Sequence, residues 1–189
     1  HFLQERARLD PRLTYVKLRR PAGSDLSIGL KRNLCIHLAG GEYIAHCDDD
    51  DLYAGTYVCT LVEALQARSA QGITLSSWYV FDAAAGKYGF CDPVRWGNMQ
   101  GLDPSNETVR SWAYGYGFSY VYRRKVALDN PFDDQGLGED FKFYSQVQHQ
   151  EGQDSIVLLE DKSGICLHTQ HGNNTSSTFA LWEVMPDEV

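Results

Sequence analysis

The 189-residue sequence predicts a single α/β domain over residues 1–189, built as a mixed β-sheet covered by helices. Two observations carry this expectation. Strand-like runs alternate with helical apolar stripes through the first half of the chain, and strand-like runs dominate the second. The composition, 43% hydrophobic and 12% aromatic with no internal repeat or linker-like stretch, is enough for one ordinary core.

In chain order, Phe2 to Leu9 has helical character, and Asp10-Pro11 ends it. Leu13–Leu18 (LTYVKL) has strand character. Ser27 is a candidate N-cap for a helix whose apolar stripe is Leu30, Leu34 and Leu38, and Gly40-Gly41 stops that helix. Glu42–Cys47 (EYIAHC) predicts a short strand running into four aspartates. Val58, Leu61, Val62 and Leu65 mark a second helix. Ile73–Phe81 (ITLSSWYVF) is the strongest strand, turned by Ala85-Gly86-Lys87 into a hairpin with Tyr88-Gly89-Phe90. Residues 92–112, rich in Gly, Asn and polar groups, predict a long loop. Gly117–Arg123 predicts a strand, Asp140–His149 a helix with Phe141, Tyr144 and Val147 inward, and Ile156–Leu159 and Ile165–His168 two short strands. The remainder predicts a loose tail.

Seventeen basic against 25 acidic residues give a formal charge of −8, which argues against a nucleic-acid partner. An acidic protein that handles phosphates needs a divalent cation to neutralise both sides. Cys35, Cys47, Cys59, Cys91 and Cys166 form neither a C-x-x-C pair nor an even framework, so they are expected as core thiols. No apolar run approaches the ~20 residues of a membrane span. The chain opens without a methionine, and the expectation is a fragment of a longer protein.

The chemistry concentrates in Asp48–Asp51 and in Gly136-Leu137-Gly138-Glu139-Asp140. On an extended backbone, Asp48 and Asp50 share one face and suit a hard cation such as Mg²⁺ or Mn²⁺, while Asp49 and Asp51 face elsewhere. The competing reading is a solvated acidic turn before a helix. Glu139 and Asp140, behind flexible glycines at a helix start, suit a general base; the alternative is plain complementarity to the helix dipole. His168 and His171 are candidate ligands, although spacing of three does not put both on one strand face. His37 and His46 are expected to pack. Lys31-Arg32 lies where cations can reach a diphosphate, or simply on a solvated helix face.

Together these pieces are similar to family two glycosyltransferases, which have the GT-A fold. Gly29-x-Lys31-Arg32-Asn33, Ala39-x-Gly41-Glu42-Tyr43-Ile44 and Asp48-Asp49-Asp50-Asp51 resemble that family's G-x-(A/K)-R-N…A-x-G-E-Y-I…D-x-D-D segment. Gly117-Phe118…Tyr122-Arg123-Arg124, then Gly138-Glu139-Asp140, resemble its acceptor-side strand and E-D motif, and His171-Gly172-Asn173-Asn174-Thr175 its R-H-x-x-N-T ending. The resemblance spans roughly residues 9 to 178. It implies a Mn²⁺- or Mg²⁺-dependent transfer of a sugar, with inversion, from a nucleotide-sugar donor to a carbohydrate or other hydroxyl acceptor. In that scheme Asp48, Asp49, Lys31 and Arg32 attend the donor, and Asp50 and His171 bind metal with His168 as the substitute. Asp140 is the base, and Glu139 aids the acceptor. Trp78 and Trp112 either stack on sugars or pack in the core. The family's opening strand-helix-strand, which forms much of the nucleotide pocket, has no counterpart here. A non-catalytic sugar- or metal-binding module and a nucleotidyltransferase are the rival readings.

Overall fold

The computed structural model describes residues 2–21, 23–103, 105–175, 178 and 180–185. Its sheet is organised around β3 (Gly72–Asp82), which changes neighbours along its length. The first half of β3 pairs antiparallel with β5 (Val121–Arg123) and parallel with β6 (Ile156–Glu160). After a register shift between Leu75 and Ser77, the second half pairs antiparallel with β4 (Lys87–Cys91) and parallel with β7 (Cys166–Gln170). Short strands extend both parts, all antiparallel: β1 (Tyr43–Ala45) on β5, β2 (Leu52–Tyr53) on β7, and β8 (Trp182–Val184) on β4. The sheet is therefore mixed, as the alternation of elements predicts.

Helices cover both faces because neighbouring residues of a strand point opposite ways. Val121 belongs to the core beneath α3 (Tyr57–Ala67), with Leu61, Leu65, Ile73 and Leu75. Its neighbours Tyr120 and Tyr122 belong to a second core with Ile36, Phe143, Tyr144 and Val147, from α2 (Ile28–Leu38) and α7 (Glu139–Glu151). The predicted α3 stripe places Leu61 and Leu65 inside, whereas Val58 stays 46% exposed.

Several expectations are corrected. α1 (Phe2–Leu9) forms but buries nothing, and residues 13–18 form no strand, since no strand lies alongside to accept their backbone. In α2, capped by Ser27 Oγ accepting from the Leu30 N–H at 3.2 Å, the buried residues are Gly29 and Ile36, while Leu38 is half exposed. The helix turns this face inward because it lies against residues 132–135. A Cβ on Gly29 would stand 1.9 Å from the Asp133 carbonyl oxygen, and Asn33 both donates to the Phe132 carbonyl and accepts from its N–H.

Residues 92–112 are not a loop but contain α4 (Pro93–Met99) and α5 (Glu107–Ser111). Asp92 and Asn106 cap them, and Pro93 opens the first. Residues 117–119 form a 3₁₀ turn before β5, and β5 leads directly into α6 (Arg124–Asp129). Phe141 is exposed while Phe143 turns inward, and the tail supplies β8, whose Trp182 stacks on Phe90. Of the thiols only Cys91 and Cys166 are buried, and none of the five is in a disulfide. No helix among the described residues is long and apolar enough to cross a membrane.

Candidate active site

β1 brings the chain to the acidic residues, and the pairing continues one step further, with the His46 N–H donating to the Tyr120 carbonyl at 2.8 Å. The chain then turns. Asp51 N–H approaches the Asp48 carbonyl at 3.5 Å, so the four aspartates are not extended and strict alternation fails. Carboxylate oxygens of Asp48, Asp50 and Asp51 lie within 4.8 Å of one another, which brings in Asp51 where alternation would exclude it.

The three carboxylates differ in what they can still bind. The Asp51 side chain has no exposed surface and accepts hydrogen bonds from His168 Nδ1 at 3.0 Å and the Thr169 N–H at 2.8 Å. Tyr53 Oη donates to it weakly at 3.4 Å. These hydrogen bonds brace the turn and hold His168. Because a carboxylate can only accept, His168 carries a proton on Nδ1. That ring stacks on Phe118 at 4.6 Å. Asp50 faces His171, whose Nε2 stands 2.9 Å from Oδ2, while His171 Nδ1 accepts from the Asn173 N–H at 3.1 Å. Desolvation pushes the Asp48 carboxyl above its ordinary range; Arg32 opposes this, and Asp51 and Asp50 reinforce it.

The second acidic element opens α7. Gly138, at φ 79°, adopts the left-handed conformation that lets the chain enter the helix. Asp140 Oδ2 accepts from the Gly117 N–H at 2.9 Å and Oδ1 from the Phe141 N–H at 2.7 Å, which fixes the carboxylate in one orientation. Glu139 is 3% exposed and pairs with Arg32 Nη1 at 2.6 Å. Burial pushes its carboxyl upward, while Arg32 pulls it back. Arg32 is therefore committed to Glu139, its guanidinium 5.5 Å above the Phe132 ring, and Lys31 pairs with Asp25 at the surface.

Two residues outside the predicted set tie this together. A Cβ on Gly117 would meet the Arg32 guanidinium nitrogens at 2.6 and 2.8 Å, so glycine leaves Arg32 the room to pack where it does, while the Gly117 N–H serves Asp140. His46 donates from Nδ1 to the Gly117 carbonyl at 2.8 Å and accepts at Nε2 from Tyr122 Oη at 2.9 Å. Desolvation, with Arg32 nearby, lowers its pKa to about 3, so it is neutral. The sequence marks Gly117 as the first letter of the stretch likened to an acceptor-side strand, without a role in the site. His46 packs as expected, but it is also bonded at both ring nitrogens.

A cleft of about 760 Å³ joins these parts. Its walls include Lys31 and Arg32 of α2, Asp48, Asp49 and Asp50 of the acidic turn, the Gly115–Phe118 turn, the Gly136–Phe141 segment, and His168. His171 reaches it through Asp50. Trp78 lies instead in the core against Tyr116, Trp112 packs on Trp96, and His37 is exposed.

No protein-family model matches the chain, and no curated protein matches it in sequence. Solved structures of glucosyl-3-phosphoglycerate synthase from Mycobacterium tuberculosis are similar in fold. The complex with Mn²⁺, uridine-diphosphate-glucose and phosphoglyceric acid has a TM-score of 0.54 at 17% identity, over 84% of this chain and 50% of that one. The complex with Mn²⁺, uridine-diphosphate-glucose and glycerol 3-phosphate gives 0.53 at 16%, over 84% and 50%. The complex with Mg²⁺ and uridine diphosphate gives 0.51 at 14%, over 82% and 49%. The chain thus spans about half the length of these structures, and the likeness establishes a GT-A-like fold.

Proposed function

We propose that the chain is the catalytic part of a metal-dependent glycosyltransferase that moves a sugar, with inversion, from a nucleotide-diphosphate donor to an acceptor hydroxyl. The observation that carries this reading is the single cleft walled by both Asp48–Asp50 and Glu139–Asp140. The fold it shares with a synthase solved with Mn²⁺ or Mg²⁺ and uridine diphosphate or its glucose ester supports the same reading.

The residues fit a hard divalent cation. Two cis ligands of an octahedral ion with bonds of about 2.1 Å stand roughly 3 Å apart; Asp50 Oδ2 and His171 Nε2 are separated by 2.9 Å, in a hydrogen bond whose Nε2 proton an ion would displace. Asp50 and His171 would hold the ion, with Asp48 beside it toward the donor. His168, oriented by Asp51, has the carboxylate-imidazole arrangement usual behind metal ligands and is the second imidazole to test. When bound, the ion would act as a Lewis acid that offsets charge on the departing diphosphate.

The chain's own residues supply the rest. Asp140, aimed by two backbone N–H groups, takes the proton from the acceptor hydroxyl as its oxygen attacks the anomeric carbon opposite the diphosphate. The C–O bond to the leaving diphosphate breaks with its electron pair. Glu139 and Arg32 hold the Asp140 segment against the cleft wall. The test is calorimetry of nucleoside diphosphates with and without Mn²⁺, followed by a thermal-shift screen of nucleotide sugars. The expected outcome is binding that requires the ion and stabilisation by at least one sugar nucleotide. Metal-independent binding, or none to any nucleotide, would overturn the proposal.

A further inference from the structure

The cleft's charges and its exposed apolar side chains both describe the acceptor. Asp48, Asp49, Asp50, Glu139 and Asp140 line it, against Lys31 and Arg32 as the only Lys or Arg side chains among the described lining residues. Both cations already have carboxylate partners, Lys31 with Asp25 and Arg32 with Glu139. The wall is therefore acidic in excess, and a divalent ion with an anionic donor leaves it so. An acceptor bearing its own phosphate or carboxylate would meet like charge, offset among the described lining residues only by Lys31, which Asp25 already shares at the surface.

The same wall carries two large apolar side chains that the core does not use. Leu137 is 66% exposed and Phe141 43% exposed, and they bracket Gly138-Glu139-Asp140 in the chain and line the same cleft. This is not loose backbone. The preceding segment is tied to α2 by the Gly29 N–H donating to the Gln135 carbonyl at 3.2 Å and by both Asn33 hydrogen bonds to Phe132. The core of α7 is filled by Phe143, Tyr144 and Val147, so Phe141 is held outward. Isolated exposed apolar residues are ordinary. These two instead flank the Asp140 carboxylate, which the Gly117 and Phe141 amides hold in place at the cleft.

We infer that the acceptor is an uncharged hydroxyl compound with an apolar group next to the reacting hydroxyl, and that Leu137 and Phe141 hold that group. The inference rests on the glycosyltransferase reading and deepens it by naming the acceptor class.

The test uses the full chain with Mn²⁺ and the sugar nucleotide that stabilises it most. Two matched acceptor series are compared: glycerol, glycerol 3-phosphate and 1-O-hexylglycerol; and methyl glucoside, glucose 6-phosphate and hexyl glucoside. Hydrolysis of the donor without acceptor is followed in parallel. The expected result is a kcat/KM for the hexyl compound at least tenfold above the unsubstituted one in one series, with the phosphorylated compound at least tenfold below it. Leu137→Ser and Phe141→Ser, at exposed positions, should raise KM for the hexyl compound and bring the hexyl advantage to within about twofold. Phe141→Lys should improve the phosphorylated acceptor relative to the hexyl one. Donor hydrolysis with preference for the phosphorylated acceptor, or a hexyl advantage that survives both serine substitutions, overturns the inference while leaving the enzyme reading intact. No donor turnover of any kind overturns both.

Discussion

Gly117→Ala is the substitution whose outcome says most about how the site is built. Gly117 is not among the positive-φ glycines, so alanine costs nothing in backbone strain, and any effect comes from space. The new Cβ would stand 2.6 Å from Arg32 Nη2, inside the 3.0 Å that real Cβ contacts keep, so the guanidinium has to shift. Arg32 Nη1 is only 2.6 Å from Glu139 Oε1, so that shift pulls the pair apart and leaves a carboxylate, 3% exposed, without its cation. Breaking one side of a buried pair costs about 3–5 kcal/mol. The expected loss at neutral pH is at the low end, about 3 kcal/mol, since Glu139 can take up a proton. That escape gives the sign of the pH dependence. Burial already raises Glu139 above its ordinary 4.5, and loss of Arg32 raises it further. A carboxyl raised in the folded state favours folding below its unfolded value and loses that advantage as pH rises through the folded value. The Gly117→Ala deficit should therefore be largest at neutral pH and shrink toward pH 4.5. Urea unfolding at several pH values, repeated in a Glu139→Gln background where the deficit should fall by more than ~1 kcal/mol, measures this. A variant within about 0.5 kcal/mol of the parent at neutral pH, or a loss indifferent to both pH and Glu139, would refute the reasoning.

Asp140→Asn should lower kcat by about 10²–10⁴-fold and leave nucleoside-diphosphate affinity unchanged by calorimetry; equal loss of both would place Asp140 in donor binding instead. Asp50→Ala should abolish Mn²⁺-dependent nucleotide binding. His171→Ala should weaken it more than His168→Ala, and Mn²⁺ titration in the two variants decides which imidazole is the ligand. His46 is lowered from 6.5 to about 3, so its neutral form stabilises the fold above pH 6.5 and that contribution is lost as pH falls toward 3. His46→Gln should therefore flatten the acid limb of stability between pH 7.5 and 4.5 relative to the parent; parallel curves in thermal unfolding would remove His46 from that role.

Much of the fold is legible from the sequence because its longest signals are local. The β3 run, the β3–β4 hairpin and the α3 stripe need only their own residues to declare themselves. Failures occur where a distant partner decides. Leu13–Leu18 has strand composition but no strand to join, whereas Trp182–Val184 is too short to declare itself and pairs because the β4 edge is there to receive it. The acidic residues show the same division. Their place after β1 is legible, but the turn that turns Asp51 inward depends on His168 and Thr169, more than a hundred residues away. The α4 and α5 helices were hidden for another reason: the Asp92-Pro93 and Asn106-Glu107 starts are local signals outweighed by the loop-like composition around them.

The α2 helix shows why a motif can be easier to recognise than to explain. Its leucine stripe points to an ordinary apolar face, yet the residues turned toward the α7 segment are Gly29, Arg32, Asn33 and Ile36, at the i, i+3, i+4 and i+7 positions of one helical face. Three of these are the fixed letters of the G-x-K-R-N segment. Gly29 is needed for approach to the Asp133 carbonyl, Asn33 for the backbone of Phe132, and Arg32 for Glu139. All three contacts fall on the segment that carries Asp140 to the cleft. The motif therefore does not have to be read as a phosphate-binding surface. In this chain it is the buttress that holds the proposed base opposite the acidic turn, and Lys31, paired with Asp25 at the surface end of the cleft wall, takes no part in it.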